Sequence, residues 1–320
     1  MLSLEQSRFW LDKLHSDGLQ PGIQELMYYR TKLPAFAKHR RHLPAVSQSG
    51  PLLSKTRGRG MEFDEVRHYQ AGDDIRSIDW RVTARTGKPH TKLYREEKER
   101  PVFLVADLAL TQLFGSQLLF KSVQSCHLLA ALAWQAQQRG DRVGGIISNG
   151  WMHREHKPAA RQAGVLHLLH SAVDIHKDSY RRWQQQQRPH DAPLADSLRR
   201  LQQLVKPGSL INIISDFRYI DEELLELLAR LNRRNSVRCF CLYDPMECEL
   251  PAGYSSQPLA VFDGLQQAQI NLADSRQRQR YHDNAKQREQ HQQQQFEQYG
   301  LALTYVSSAE ALEQQWQSLR

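Results

Sequence analysis

The chain has no run of eighteen apolar residues, the length that reads as a membrane-spanning helix, so no membrane insertion is expected. Its N-terminus, MLSLEQSRFWLDKLHSDG, has no uninterrupted apolar core and mixes both charge signs. It reads as an amphipathic helix with Leu4, Phe9, Leu11 and Leu14 near one face, not as a secretory signal. The cytoplasm is therefore the default compartment. Cysteine is scarce, four in 320 residues. Cys126 falls in a helical pattern, Cys239 and Cys241 share one face of a strand, and Cys248 follows in a loop. No second pair completes a four-ligand metal site, so reduced, packed thiols are expected.

Signatures of catalysis are also missing. There is no G-x-x-x-x-G-K-[ST] phosphate loop, no G-x-S-x-G elbow and no H-E-x-x-H. Gly58-x-Gly60 precedes a strand rather than a helix. His153 with His156, and His167 with His170, read as structural or solvated pairs. Nothing pairs a nucleophile with a base, so no catalytic residue is assigned and no enzyme is expected.

One stretch lacks acid entirely. Residues 30–60 carry Arg30, Lys32, Lys38, Arg40, Arg41, Lys55, Arg57 and Arg59, which together equal the formal net charge of +8. Such an arm suits a nucleic acid, an anionic membrane surface or an acidic protein, with Arg40, Arg41, Arg57 and Arg59 as candidate contacts; a solvated connector is the plainer reading. No RNA-binding aromatic motif or zinc-finger spacing accompanies it.

What is present is an alternation of strands and helices. Two helices are expected near 3–16 and 21–31, a strand over 61–69, a helix from an Asp73 cap to about Ala84, and a strand near 90–96. From Pro101 the rhythm becomes strand 101–107, helix 116–140, strand 141–150, an edge strand through WMHREHK, and helices at 159–173 and 192–205. Strand 209–216, helix 220–235, strand 236–244, a hairpin over 259–274, a Gln-rich helix 275–299, a last strand and a last helix follow. PVFLVAD and SLINIISD are apolar throughout, as strands buried on both faces require. The order predicts an α/β fold: a doubly wound, mostly parallel sheet with helices on both faces over 101–320, preceded by a smaller α+β part over 1–100. In such a sheet the site lies at the strand C-termini, here Asp107, Asn149, Asp216 and Asp244.

The stretch AGDDIRSIDWRVTART sets Asp73, Asp74 and Asp79 beside Arg76, Arg81 and Arg85. A metal-dependent hydrolase could use the three acids, but on one helix at about 100° per residue they do not converge, and the arginines favour charge pairing. The expectation is an ion-paired structural corner, with Asp–Arg contacts gathered around Trp80.

The run from Gly58 to Asp107 resembles the bacterial family called domain of unknown function 58. The residues that carry the likeness are Glu62, Phe63, Arg67, Tyr69, Gly72, Asp73, Asp74, Arg76, Ile78, Asp79, Trp80, Ala84, Arg85, Lys92 and Glu96 or Glu97. The resemblance implies a von Willebrand factor type A-like domain from about residue 101. It also implies a partner, since such proteins are typically encoded beside MoxR-type AAA+ ATPases and are thought to mature or remodel client proteins with them. Type A domains often hold Mg²⁺ at a metal-ion-dependent adhesion site, through D-x-S-x-S, a loop threonine and a later aspartate. Here Asp107, Thr111 and Asp216 could take part, but Ala109 stands at a hydroxyl position, and no threonine lies between Thr111 and Thr304. Ser197, Asp191 or Asp196 would have to substitute, so a degenerate, metal-free site is expected. The function this favours is a non-enzymatic adaptor, with nucleic-acid binding through the 30–60 arm as the alternative.

Overall fold

A computed structural model describes residues 3–37, 61–70, 72–96, 99–188, 193–252, 259–262 and 267–319. In chain order these form α1 (Leu4–Leu14), α2 (Ile23–Ala37), β1 (Met61–His68), α3 (Trp80–Thr86), β2 (His90–Glu96), β3 (Pro101–Asp107), α4 (Lys121–Gln138), β4 (Arg142–Ser148) and β5 (His153–Ala159). There follow α5 (Gln162–Gln184), α6 (Pro193–Leu204), β6 (Leu210–Ser215), α7 (Glu222–Asn232), β7 (Ser236–Tyr243), β8 (Leu259–Phe262), β9 (Gln267–Ile270), α8 (Ser275–Gln298), β10 (Leu303–Ser307) and α9 (Leu312–Gln315). The chain divides into two compact units, residues 1–39 with 100–320, and residues 40–99.

The larger unit is built on a six-stranded sheet in the order β10-β7-β6-β3-β4-β5. Every neighbouring pair is parallel except β4–β5, which is antiparallel at one edge. Alternation along β3 divides the core. Val102, Leu104 and Ala106 join the cluster that holds α4 and α5, while Phe103 and Val105 join the cluster that holds α6 and α7. The expected mostly parallel sheet with helices on both faces is thus found. Two glycines let strands close up on β4: a Cβ at Gly145 would stand 2.0 Å from the Leu104 carbonyl oxygen, and one at Gly144 2.5 Å from that of His156.

Helix α2 packs on this unit, where the sequence reading grouped it with the 1–100 part. Leu26 and Tyr29 are fully buried in the α4 cluster. Between them a polar chain crosses to α4: Tyr29 hydrogen-bonds His127 Nδ1 at 2.8 Å, and His127 Nε2 meets Glu25 at 2.5 Å. An amphipathic face announces burial but not the partner, and here the partner lies about a hundred residues on. Helix α4 begins at Lys121 rather than near 116, and α5 runs on to Gln184, past the expected 173.

The smaller unit is the antiparallel pair β1–β2 with a short crossing segment. The single helix expected over 73–84 is two pieces. A 3-10 turn, Ile75–Ser77, is capped by Asp74, and α3 is capped anew by Asp79, whose carboxylate accepts the Arg81 and Val82 N–H groups. Between them Ile78 bridges to Thr91 in extended form, which breaks the apolar stripe of Ile75, Ile78 and Val82.

Candidate functional site

Connections from β3 run to β4 on one side and, later, to β6 on the other, so the topological switch lies between β3 and β6. A crevice opens there at the strand C-termini. Asp107, Ala109, Thr111, Ser215 and Asp216 line it, with Phe217, Arg218 and Tyr219. Its interior is about 20 Å³, room for one water-sized species.

Asp107 is buried and already engaged. One oxygen accepts the Ala109 N–H at 3.0 Å and the other the Ser215 hydroxyl at 2.8 Å. Burial, and then the charge of Asp216, raise its pKa to about 7. Asp216 faces Lys121, the first residue of α4, whose ammonium lies 3.2 Å from Asp216 Oδ2 and 2.7 Å from Glu247 Oε1. The Lys121 and Asp216 side chains are 2% and 6% exposed, that of Glu247 31%. Burial works against the Lys121 charge, but Asp216 and Glu247 more than offset it and hold its pKa above the usual value.

These residues do not fit a magnesium ion. Mg²⁺ takes six hard oxygens in near-octahedral array. Ala109 offers no side-chain oxygen, both Asp107 oxygens are hydrogen-bonded, and an ammonium already sits against Asp216. Thr111 lies half-buried in a second 3-10 turn, Leu110–Gln112, which follows β3 at the crevice. Of the substitutes, Asp196 pairs with Arg199, Ser197 is buried on α6, and Asp191 lies outside the described residues. Among the described residues no group of three or more His, Cys, Asp or Glu is placed to hold a metal. The other strand ends are structural. Asp244 accepts from Ser116, Met246 and Ser308, and Asn149 bonds Asp178 while its own oxygen accepts two backbone N–H groups. All four cysteines are free. His156 bonds Ser171, and His167 and His170 are exposed on α5.

Sequence reading missed Lys121, Glu247 and Ser215. Two signals were available. A lysine at a helix N-terminus opposes the helix dipole and asks for an anion. Asp244 and Glu247 also form a capping box, which places Glu247 on a fixed turn beside the β7 end.

The motif residues are arranged differently. Asp73 accepts from Arg67 at 2.7 Å and from the Gln70 N–H at 3.0 Å. Asp74 caps Arg76 N, and Asp79, besides capping α3, lies 3.4 Å from Lys92 Nζ. The Gln70 N–H and then Arg67 lower the Asp73 pKa; the Val82 N–H and then Lys92 lower that of Asp79. Gly72 turns at φ +108°, Tyr69 N–H bonds the Pro89 carbonyl, and Glu62 lies opposite Arg95 in the β1–β2 register. The expected knot of Asp–Arg contacts around Trp80 is not there. Asp73 finds Arg67, Asp79 finds Lys92, and Arg76, Arg81 and Arg85 are exposed with no ion pair among the described residues. Trp80 is 67% exposed and Ile75 64%. Capping explains the difference: carboxylates turned to backbone N–H groups at successive helix starts are not turned to the arginines. Arg40, Arg41, Arg57 and Arg59 lie outside the described residues, as does Glu97.

A family described as a protein of unknown function, DUF58, matches residues 65–292. Curated relatives include the uncharacterized protein Rv1480 of Mycobacterium tuberculosis and Mb1516 of Mycobacterium bovis, each 37% identical over 101 residues. Those matches span 32% of this chain and 32% of each relative. Among solved structures, BatB from Bacteroides thetaiotaomicron and an aerotolerance-related membrane protein from Bacteroides fragilis align at TM-score 0.40 and 13% identity. Each alignment covers 69% of this chain and 98% of the other, a likeness too distant to carry an argument. Among the described residues no helix is long and apolar enough to cross a membrane.

Proposed function

The chain belongs to the DUF58 family of proteins of unknown function, and from that premise we propose that it is a non-enzymatic protein-interaction adaptor. In this reading it acts with a MoxR-type AAA+ ATPase in the maturation or remodelling of client proteins, and its sheet is a von Willebrand factor type A-like domain. The family resemblance supplies the partner class. The fold supports the type A-like reading through Asp107 and Asp216 at the switch point of a parallel sheet.

The observation that carries the adaptor reading is Trp80. An indole 67% exposed, in a segment that also exposes Ile75 and the guanidinium groups of Arg76, Arg81 and Arg85, which make no ion pair among the described residues, has the make-up of an interface hot spot. Of its three acids Asp73 pairs with Arg67 and Asp79 with Lys92, and Asp74 caps the Arg76 N–H, against the three unpaired arginines. The patch is therefore net cationic and suits an acidic protein surface. The residues that line the strand-end crevice include no nucleophile–base pair, which suits binding better than turnover.

The test is capture of the MoxR-type ATPase of the same source by the full chain, with and without ATP. Wild type should retain it, and Trp80→Ala and Arg81→Glu should weaken retention at least tenfold, about 1.4 kcal/mol. No capture in either nucleotide state sinks the reading. Salt-dependent retention of single-stranded nucleic acid through Trp80 instead would replace it with the nucleic-acid alternative.

A further inference from the structure

The crevice at the switch point collects carboxylates, yet its geometry rejects a divalent ion, and the reason is a residue of this chain. We infer that Lys121 is the resident cation of this face: its ammonium neutralises Asp216 and Glu247 in the role a divalent metal would otherwise fill, so the face works without metal.

Three observations converge on that reading. The ammonium is placed where a shared cation belongs, 3.2 Å from one carboxylate and 2.7 Å from another. It is also costly to place there. Lys121 opens α4, where the helix dipole already contributes positive charge, and its side chain is 2% exposed. A buried lysine at a helix N-terminus persists only with close anionic partners, and Asp216 and Glu247 are those partners. Finally, the surrounding donors complete a metal-free arrangement. Asp107 is held by the Ala109 N–H and the Ser215 hydroxyl, and Asp216 Oδ1 takes the Arg218 N–H at 3.3 Å. A divalent ion entering here would meet a fixed ammonium and carboxylate oxygens already engaged.

This inference goes beyond the adaptor reading, because it concerns the isolated chain and needs no partner. With the Lys121 ammonium against both carboxylates, this face presents no open coordination position. Binding through it is then indifferent to chelators.

The test starts with the full wild-type chain, titrated calorimetrically with MgCl₂ and with MnCl₂ and melted in EDTA and in millimolar metal. The expected result is no saturable heat and the same Tm in all conditions. Saturable uptake that Asp216→Asn abolishes would overturn the inference. The second arm is Lys121→Ser, which removes the ammonium and leaves space. It should melt well below wild type in EDTA and recover part of the loss in MnCl₂, with no recovery in the Lys121→Ser/Asp216→Asn double variant. A Lys121→Ser protein with the wild-type Tm in EDTA, or one destabilised and indifferent to Mn²⁺, counts against the inference. If the variant does not fold, the wild-type titration decides.

Discussion

At the strand ends the Asp107 and Asp216 side chains are buried, with Lys121 between Asp216 and Glu247; in the motif segment Asp74 is exposed, Asp73 and Asp79 are half-buried, and all three face backbone N–H groups. The two regions carry the same residue types and put them to opposite use. Burial raises the Asp107 pKa to about 7, whereas backbone donors lower those of Asp73 and Asp79. In the first region the charges satisfy one another and little is left to offer a partner. In the second the acids are committed to the chain's own turns, which leaves arginines and an indole facing outward. A carboxylate says little about function until its partner is known, and the partner is set by depth.

The comparison predicts unequal costs of charge removal. Asp216→Asn strands a buried ammonium with one remaining partner and should cost about 3 kcal/mol in urea unfolding at neutral pH. Asp73→Asn removes the charge of a half-buried acid, keeps its hydrogen bonds to neighbouring donors within reach, and should move the urea midpoint far less. Equal shifts from the two substitutions would erase the distinction between the regions.

The regions should also differ in pH dependence. The folded pKa of Asp107 is raised, so between about 3.8 and 7 the native state binds more protons at this site than the unfolded chain. Its contribution to stability is therefore full below the unfolded value and lost as pH rises through about 7. Asp107→Asn should gain on wild type by a few kcal/mol as pH climbs across that window. The difference between the two proteins is the quantity to measure, because His176 runs the other way. Burial lowers its pKa to about 4, so its contribution is lost as pH falls from about 6.5. Asp73 and Asp79, with lowered values, lose their contribution only below the usual carboxylate range. A flat Asp107→Asn difference from pH 4 to 8 would show that Asp107 titrates normally.

Much of the larger unit is legible in the chain, for identifiable reasons. PVFLVAD is apolar throughout, so β3 falls on the expected residues, and Asp274 caps α8 where a cap was expected. What could not be read are matters of tertiary distance. Lys121 and Asp216 are 95 residues apart, and nothing local announces their meeting. The sheet order places β6 beside β3 across an intervening strand pair, so the switch point follows only once the pairing is known. In the motif segment the failure was local. A run of Asp and Arg suggested ion pairs, but each Asp beginning a turn is drawn to N–H groups two or three residues on. Asp79 both divides the expected helix and releases the arginines.

That capping role gives a smaller, local prediction. Asp79→Ala removes the acceptor for two N–H groups and the partner of Lys92, on a helix of 7 residues with no buried side chain. Amide exchange over Trp80–Thr86 should speed up while the exchange of β3 and β6 is unchanged. Uniformly faster exchange across the sheet would mean that the segment is coupled to the core.

The smallest expected effect on stability is also the sharpest on function. Trp80 is large, and in a core its loss would cost about 3–5 kcal/mol. At 67% exposure on a helix with no buried residue, Trp80→Ala should change stability by no more than about 0.5 kcal/mol. The indole at that position is therefore expected to add little to folding. If the motif segment is a binding surface, Trp80→Ala should leave the urea midpoint in place and still weaken capture of the ATPase. Lys121→Ser should do the reverse, lowering Tm without removing the Trp80 contact. A Trp80→Ala protein that loses several kcal/mol of stability would mean that the indole is buried in solution, and the roles assigned to the two regions would have to be exchanged.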